Sequence, residues 1–139
     1  MISHEKLTAT SPAAESKVEY ATYWKNLDQY RRLKAVAKLT GATGGTLNVT
    51  LQTSWDNGTT WFDWWRSSDV TAGAAAAYFV ATSHEGDGTQ KAVGTALVPA
   101  LAKGAVAPGP HGSWMRIVFE AGASTSAGAL QEVTLVGIN

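Results

Sequence analysis

The chain has 139 residues, no cysteine, and eleven basic residues set against eleven acidic ones. A single domain of this length buries about two-thirds of its unfolded surface without help from a disulfide or metal, and the missing cysteines exclude disulfide frameworks, thiol catalysis and cysteine zinc sites. Balanced charge argues against nucleic acid, which needs a clustered positive field; no apolar run approaches the roughly eighteen residues that cross a bilayer, and the start, Met1-Ile2-Ser3-His4-Glu5-Lys6, lacks the basic end and apolar run of a secretion signal.

Residues 2–11 alternate weakly through Ile2, Leu7 and Ala9 and stop at Ser11-Pro12, so residues 1–17 read as an N-terminal arm or an edge strand, with a polar loop over 12–16. Val18, Tyr20, Thr22 and Trp24 alternate with Glu19, Ala21 and Tyr23, a strand on β propensity, and Asn26-Leu27-Asp28 follows as a turn. Between Tyr30 and Thr40, Leu33, Ala35, Ala37 and Leu39 face one way, against Arg32, Lys34, Val36 and Lys38. Lys, Arg, Leu and Ala are good helix formers, yet the alternation is cleaner as a strand. A small turn, Gly41-Ala42-Thr43-Gly44-Gly45, leads into the next one.

From Thr46 to Trp55 the period is two: Leu47, Val49, Leu51 and Trp55 point one way, and Asn48, Thr50, Gln52 and Ser54 the other. Asp56-Asn57-Gly58-Thr59 supplies turn chemistry, since Asp can accept from later backbone N–H groups and Gly takes positive φ without steric cost. An aromatic strand, with Trp61, Phe62, Trp64 and Trp65 distributed over both faces, completes a β-hairpin.

Residues 67–77, with the small-residue run Thr71-Ala72-Gly73-Ala74-Ala75-Ala76-Ala77, read as a loop or close crossing before a strand at Tyr78–Thr82, and Ser83-His84-Glu85-Gly86-Asp87-Gly88 as a turn. Residues 91–111 read as a long, partly packed loop. Met115, Ile117, Phe119 and Ala121 then face a core opposite Trp114, Arg116, Val118 and Glu120; a turn over 122–128 precedes a last strand at Leu130–Ile138. The sum is an all-β chain: a single antiparallel β-sandwich spanning residues 1–139, jelly-roll-like, with about seven to eight strands.

Ser54-x-Asp56-x-Gly58-x-Thr60-Trp61 resembles an Asp-box, a short hairpin motif shared by sialidases and many unrelated β proteins. The resemblance implies a structural corner: the Asp carboxylate ties down the turn, the Gly permits it and the Trp packs beneath. A sialidase would be several times longer, with repeated boxes and an arginine cluster, whereas this chain has one box and, outside Arg31-Arg32, only Arg66 and Arg116. Pairing Asp56 with Asp63 as glycosidase carboxylates conflicts with the turn role of Asp56. His4, His84 and His111 lie near the terminus, in a Gly-rich turn and in a Pro-Gly loop, none in a nucleophile context, and are expected to be solvated loop residues. The spacing in His84-Glu85-Gly86-Asp87 matches neither a zinc nor a calcium site. No catalytic residue, metal ligand or cofactor is assigned, and the chain is read as a non-enzyme.

The aromatics carry the remaining signal. Six tryptophans are present; one face of the second hairpin strand can serve the core, and the other, with Trp64 and joined by Trp114 and Arg116 from a neighbouring strand, is expected to pack under a loop, stack on a ligand or bury in a partner, the equal alternative being that all these aromatics are simply core. Over roughly residues 30–138 the pattern is similar to small virion proteins of tailed bacteriophages: a strand ending at Leu39-Thr40, a Gly-rich turn, the strand and Asp-box from Thr46 to Trp61, a Gly/Pro loop, and strands like Trp114-Met115-Arg116-Ile117-Val118-Phe119 and Val133-Thr134-Leu135-Val136-Gly137. The resemblance implies a capsid decoration (cement) protein on the virion surface, a homo-oligomer with a trimer favoured, bound to the major capsid protein, or a neck or tail accessory protein. It also makes residues 1–29 the place to expect an arm gripping neighbouring capsomers. The alternative is a carbohydrate-binding module stacking glycan rings on Trp64 and Trp114, with Asp63 or Arg116 bonding hydroxyls.

Overall fold

The computed structural model describes residues 2–10, 17–19, 24–39, 45–71, 77–82, 103–104, 106, 111–121 and 130–138. They form an all-β sandwich of two antiparallel sheets. The strands are β1 (Ile2–Thr10), β2 (Lys17–Glu19), β3 (Arg32–Leu39), β4 (Thr46–Ser54), β5 (Phe62–Arg66), β6 (Val70–Thr71), β7 (Ala77–Thr82), β8 (Trp114–Ala121) and β9 (Leu130–Ile138), with one 3₁₀ turn at Leu27–Gln29. One sheet runs β1-β9-β3-β7; the other runs β2-β8-β4-β5, and β6 also pairs with β4. No helix among the described residues is long and apolar enough to cross a membrane.

The pairings are nested. β1 pairs with β9, β2 with β8, β3 with β7 and β4 with β5, so each strand before the Asp56 turn meets its counterpart after it. Two further pairings, β3 with β9 and β4 with β8, join these ribbons sideways into sheets. Alternation then selects the core. Leu33, Ala35, Ala37 and Leu39 of β3, with Val133 and Leu135 of β9, are buried against Leu47, Val49 and Leu51 of β4 and Ile117 and Phe119 of β8. The alanines of β3 keep that strand close to its neighbours, while Arg32 and Lys34 on the opposite face stay exposed.

Three sequence expectations are corrected. Trp55 follows the inward alternation of β4 but is 51% exposed, because it lies one residue beyond the end of the paired strand at Ser54. Trp64 and Trp65 do not divide between two faces: both lie in the core cluster. The register explains it, since Gln52 pairs with Asp63 and Leu51 with Trp65, leaving Trp64 as the extra residue of a β-bulge. A bulge kinks its strand and re-aims side chains that strict alternation would place oppositely. Finally, the polar face of β4 is not solvated, for Asn48, Thr50 and Ser54 are all buried. The loops and turns expected at 12–16, 83–88 and 122–128 lie outside the described residues, as do 41–44 of the turn at 41–45, 72–76 of the segment at 67–77 and most of the loop at 91–111.

Where β8 begins, the backbone runs against the end of β4. Gly112 N–H donates to Thr53 Oγ1 at 2.7 Å, and the Thr53 hydroxyl donates to the Trp114 carbonyl at 3.1 Å. A Cβ on Gly112 would fall well inside van der Waals contact with the Ser54 carbonyl. Gly112→Ala is therefore expected to destabilise the protein by about 2–3 kcal/mol. Urea unfolding should show a lower midpoint with an unchanged slope.

Candidate functional site

The site begins with the turn. Ser54, the last residue of β4, donates its hydroxyl to Asp56 Oδ1 at 2.8 Å and accepts from Gly58 N–H at 2.9 Å. Asp56 Oδ1 also accepts from Thr60 N–H at 2.7 Å. Asn57 and Gly58 have φ of 55° and 88°, the two positive values that a type I′ turn requires of its central residues. Gly58 is needed for a second reason: a Cβ there would sit 2.7 Å from the Trp114 ring. Thr60, through its hydroxyl and its N–H, and then Ser54 hold the Asp56 carboxyl down to about 2. Asp56 thus stays a carboxylate engaged in bracing backbone.

Strand register builds the face beside the turn. Gln52 is the register partner of both Asp63 on β5 and Arg116 on β8, so the three side chains leave the sheet on one side. Arg116 Nε donates to Gln52 Oε1 at 2.8 Å, and Gln52 Nε2 donates to Asp63 Oδ1 at 2.8 Å. The Arg116 guanidinium lies over the Trp61 ring, 4.5 Å from its centroid, and the Lys25 ammonium over the Trp114 ring at the same distance. Each such contact is worth about 0.5–1 kcal/mol where partly solvated. Trp114, Arg116 and Asp63, all half-buried, are therefore brought together over Trp61, which is buried beneath Arg116.

Trp64 does not join them. It is 1% exposed, so the bulge removes it from any surface contact. Its indole Nε1 is buried without a hydrogen-bond partner. Farther along the same sheet, Asn48 Nδ2 donates to Asp69 Oδ1 at 3.0 Å, Lys103 pairs with Asp69, and Arg66 pairs with Glu120 at 3.3 Å. Asn48 and Glu120 are register partners, so the two groups lie side by side on the outer side of β4 and β8.

His111 corrects the expectation of a solvated loop histidine. It is 8% exposed, with Nε2 2.9 Å from the Leu27 carbonyl, because the 3₁₀ turn is drawn onto the start of β8 by Leu27 N–H donating to the Ser113 carbonyl at 2.8 Å. Burial lowers its pKa despite the backbone at Leu27 and Tyr30 and the charge of Asp28, which favour the protonated ring. The His84-Glu85-Gly86-Asp87 stretch and the His4 side chain lie outside the described residues, among which no group of three or more His, Cys, Asp or Glu could hold a metal.

Sequence reasoning missed the aromatic pair at the hairpin end. Trp55 and Phe62 pack in a tilted arrangement, with centroids 5.2 Å apart and planes at 59°. Position alone could have found it, since Trp55 is the residue between Ser54 and Asp56, where the chain has already left the paired strand.

Two pH effects follow. Because the fold depresses Asp56 from 3.8 to about 2, its contribution is complete above the unfolded value and is lost as pH falls through that interval; Asp56→Asn should lower the melting temperature at neutral pH and flatten its pH dependence between 3.8 and about 2. For His111 the unfolded chain binds the proton more readily, so stability should fall as pH drops below 6.5 and level off beneath the folded value. His111→Gln, which keeps a donor for the Leu27 carbonyl, should remove that slope in denaturant titrations. Comparison with protein-family models, curated proteins and solved structures finds no match to this chain, so the use of its surface has to be argued from its own geometry.

Proposed function

We propose that the protein is a structural virion component that binds the outside of a tailed-phage capsid as a decoration or cement protein. The observation that carries this reading is the ordered face made by Trp61, Trp114 and Arg116. Its cations are already stacked on the rings and its polar atoms already paired through Gln52 and Asp63. A face fixed before binding loses little side-chain freedom on contact, and Trp and Arg are the residues that dominate the energetics of protein interfaces. Binding only the assembled lattice would stabilise that lattice by mass action.

The strand orders favour a jelly roll as the fold. β1-β9-β3-β7 facing β2-β8-β4-β5, with the pairings nested about one hairpin, is the arrangement produced by rolling up a long antiparallel ribbon, and β6 extends the line of β5. β1, assigned in sequence to an arm or an edge strand, is paired along its whole length with β9. We propose attachment through the outer face of the β8-β4-β5 sheet, with the major capsid protein as partner and a trimer as the favoured state; neck or tail placement would use the same face. The glycan alternative loses Trp64 to the core, and Lys25 covers a ring face of Trp114.

Heat challenge of particles tests the proposal. Particles lacking the protein should release their contents at lower temperature, and adding the purified protein back should restore resistance. The Trp114→Ala, Arg116→Ala double variant should need at least about tenfold more protein to do so. Unchanged heat resistance in particles without the protein would rule the reading out.

A further inference from the structure

We propose that Trp55, backed by Phe62 at the tip of the β4–β5 hairpin, is a stacking platform for a single pyranose ring. The inference stands apart from the virion reading, because the pair lies off the Trp61–Trp114–Arg116 face, and a capsid coat and a free protein could equally carry it.

Trp55 continues the inward alternation of β4, and Phe62, partner of Thr53 in the register, belongs to the same side of the sheet. Thr53 is 1% exposed, whereas Trp55, two residues on, is 51% exposed. The core face of the sheet thus runs out into solvent and ends in an aromatic ring. Phe62 packs against that ring at 5.2 Å with the planes tilted by 59°, and Trp55 stays 51% exposed beside it. The backbone beneath is fixed by the Ser54, Asp56 and Thr60 bonds and by the positive φ of Asn57 and Gly58. The ring is therefore presented on a stiff support, which lowers the entropy lost on binding.

Size chooses the occupant. About half of a tryptophan side chain is on the order of 130 Å², far below the roughly 800 Å² per partner that a stable protein interface or a second copy requires. One face of a six-membered sugar ring matches it. The axial C–H groups of a pyranose form an apolar patch that packs on the electron-rich face of an indole, while its hydroxyls keep their bonds to water or to polar neighbours. Those neighbours are present: Asn57 and Thr59 are exposed on the same turn, and Asp56 beside them is held as a carboxylate.

The test follows the indole N–H resonances of the ¹⁵N-labelled protein during titration with the methyl pyranosides of glucose, galactose, mannose and N-acetylglucosamine, and with their β-linked trisaccharides. At least one sugar should shift the Trp55 resonance with millimolar affinity. Trp55→Ala should weaken that binding at least about tenfold, Trp55→Tyr should retain most of it, and Val80→Ala, an exposed position on β7 of the other sheet, should leave it unchanged. Each variant's melting temperature checks that it is folded. No shift with any of the sugars, or binding undiminished in Trp55→Ala, overturns the proposal. So does a Trp55 resonance that moves with protein concentration and not with sugar, since a second copy would then be the occupant.

Discussion

The turn that Asp56 braces is the constraint on which the other pairings depend. A hairpin turn sets the register of the strands it joins, and a slip of one residue would exchange their faces. By accepting from Thr60 and from the Ser54 hydroxyl, Asp56 fixes where β5 starts relative to the end of β4. From that register Gln52 comes to lie beside Asp63, and through β8 beside Arg116. The packing of Trp114 on Gly58 then ties the turn to β8 as well, so hairpin and face are one rigid object.

β4 shows how the sandwich handles a strand covered on both sides. Its apolar residues fill the core, and its buried polar residues bond locally: Ser54 in the turn, Thr53 to the Gly112 and Trp114 backbone, Asn48 to Asp69. Val49 N–H donates to the Ser67 hydroxyl at 3.0 Å, and Ser67 N–H returns to the Val49 carbonyl at 2.9 Å, which binds the segment after β5 to the same strand. Buried polar groups are tolerated where they find partners, and here the partners come from three different neighbours, with Asn48 Oδ1 left without one. The arrangement gives the outer side of the sheet a definite shape, the property a contact surface requires.

Period-two alternation made β3, β8 and β9 legible, down to which side of β3 is buried, because a half-covered strand must separate apolar from polar residues. The turn residues made the β4–β5 hairpin legible for a similarly local reason. Trp64 was misplaced because a bulge adds one residue without leaving a mark on the pattern of Trp61-Phe62-Asp63-Trp64-Trp65. Trp55 was misplaced because alternation states which side a residue takes and not where the paired strand stops. His111 was misplaced because its burial depends on a carbonyl in the 3₁₀ turn at Leu27, far away in sequence. Of the candidate face, Trp114 and Arg116 were legible as a pair from their strand, while their meeting with Trp61 and Gln52 depends on pairings between distant segments that no local pattern encodes.

The nesting also orders events in time. Thr53 and Phe62 are separated by one tight turn, whereas Ile2 and Ile138 stand at opposite ends of the chain, so the loop that must be closed grows from the innermost pair to the outermost. Closure entropy rises with that separation, and non-local strands associate slowly. Assembly therefore spreads outward from the middle of the chain. On a ribosome β1 emerges well before β9, its partner; until β9 is made, a nine-residue strand depends on other means to avoid aggregation.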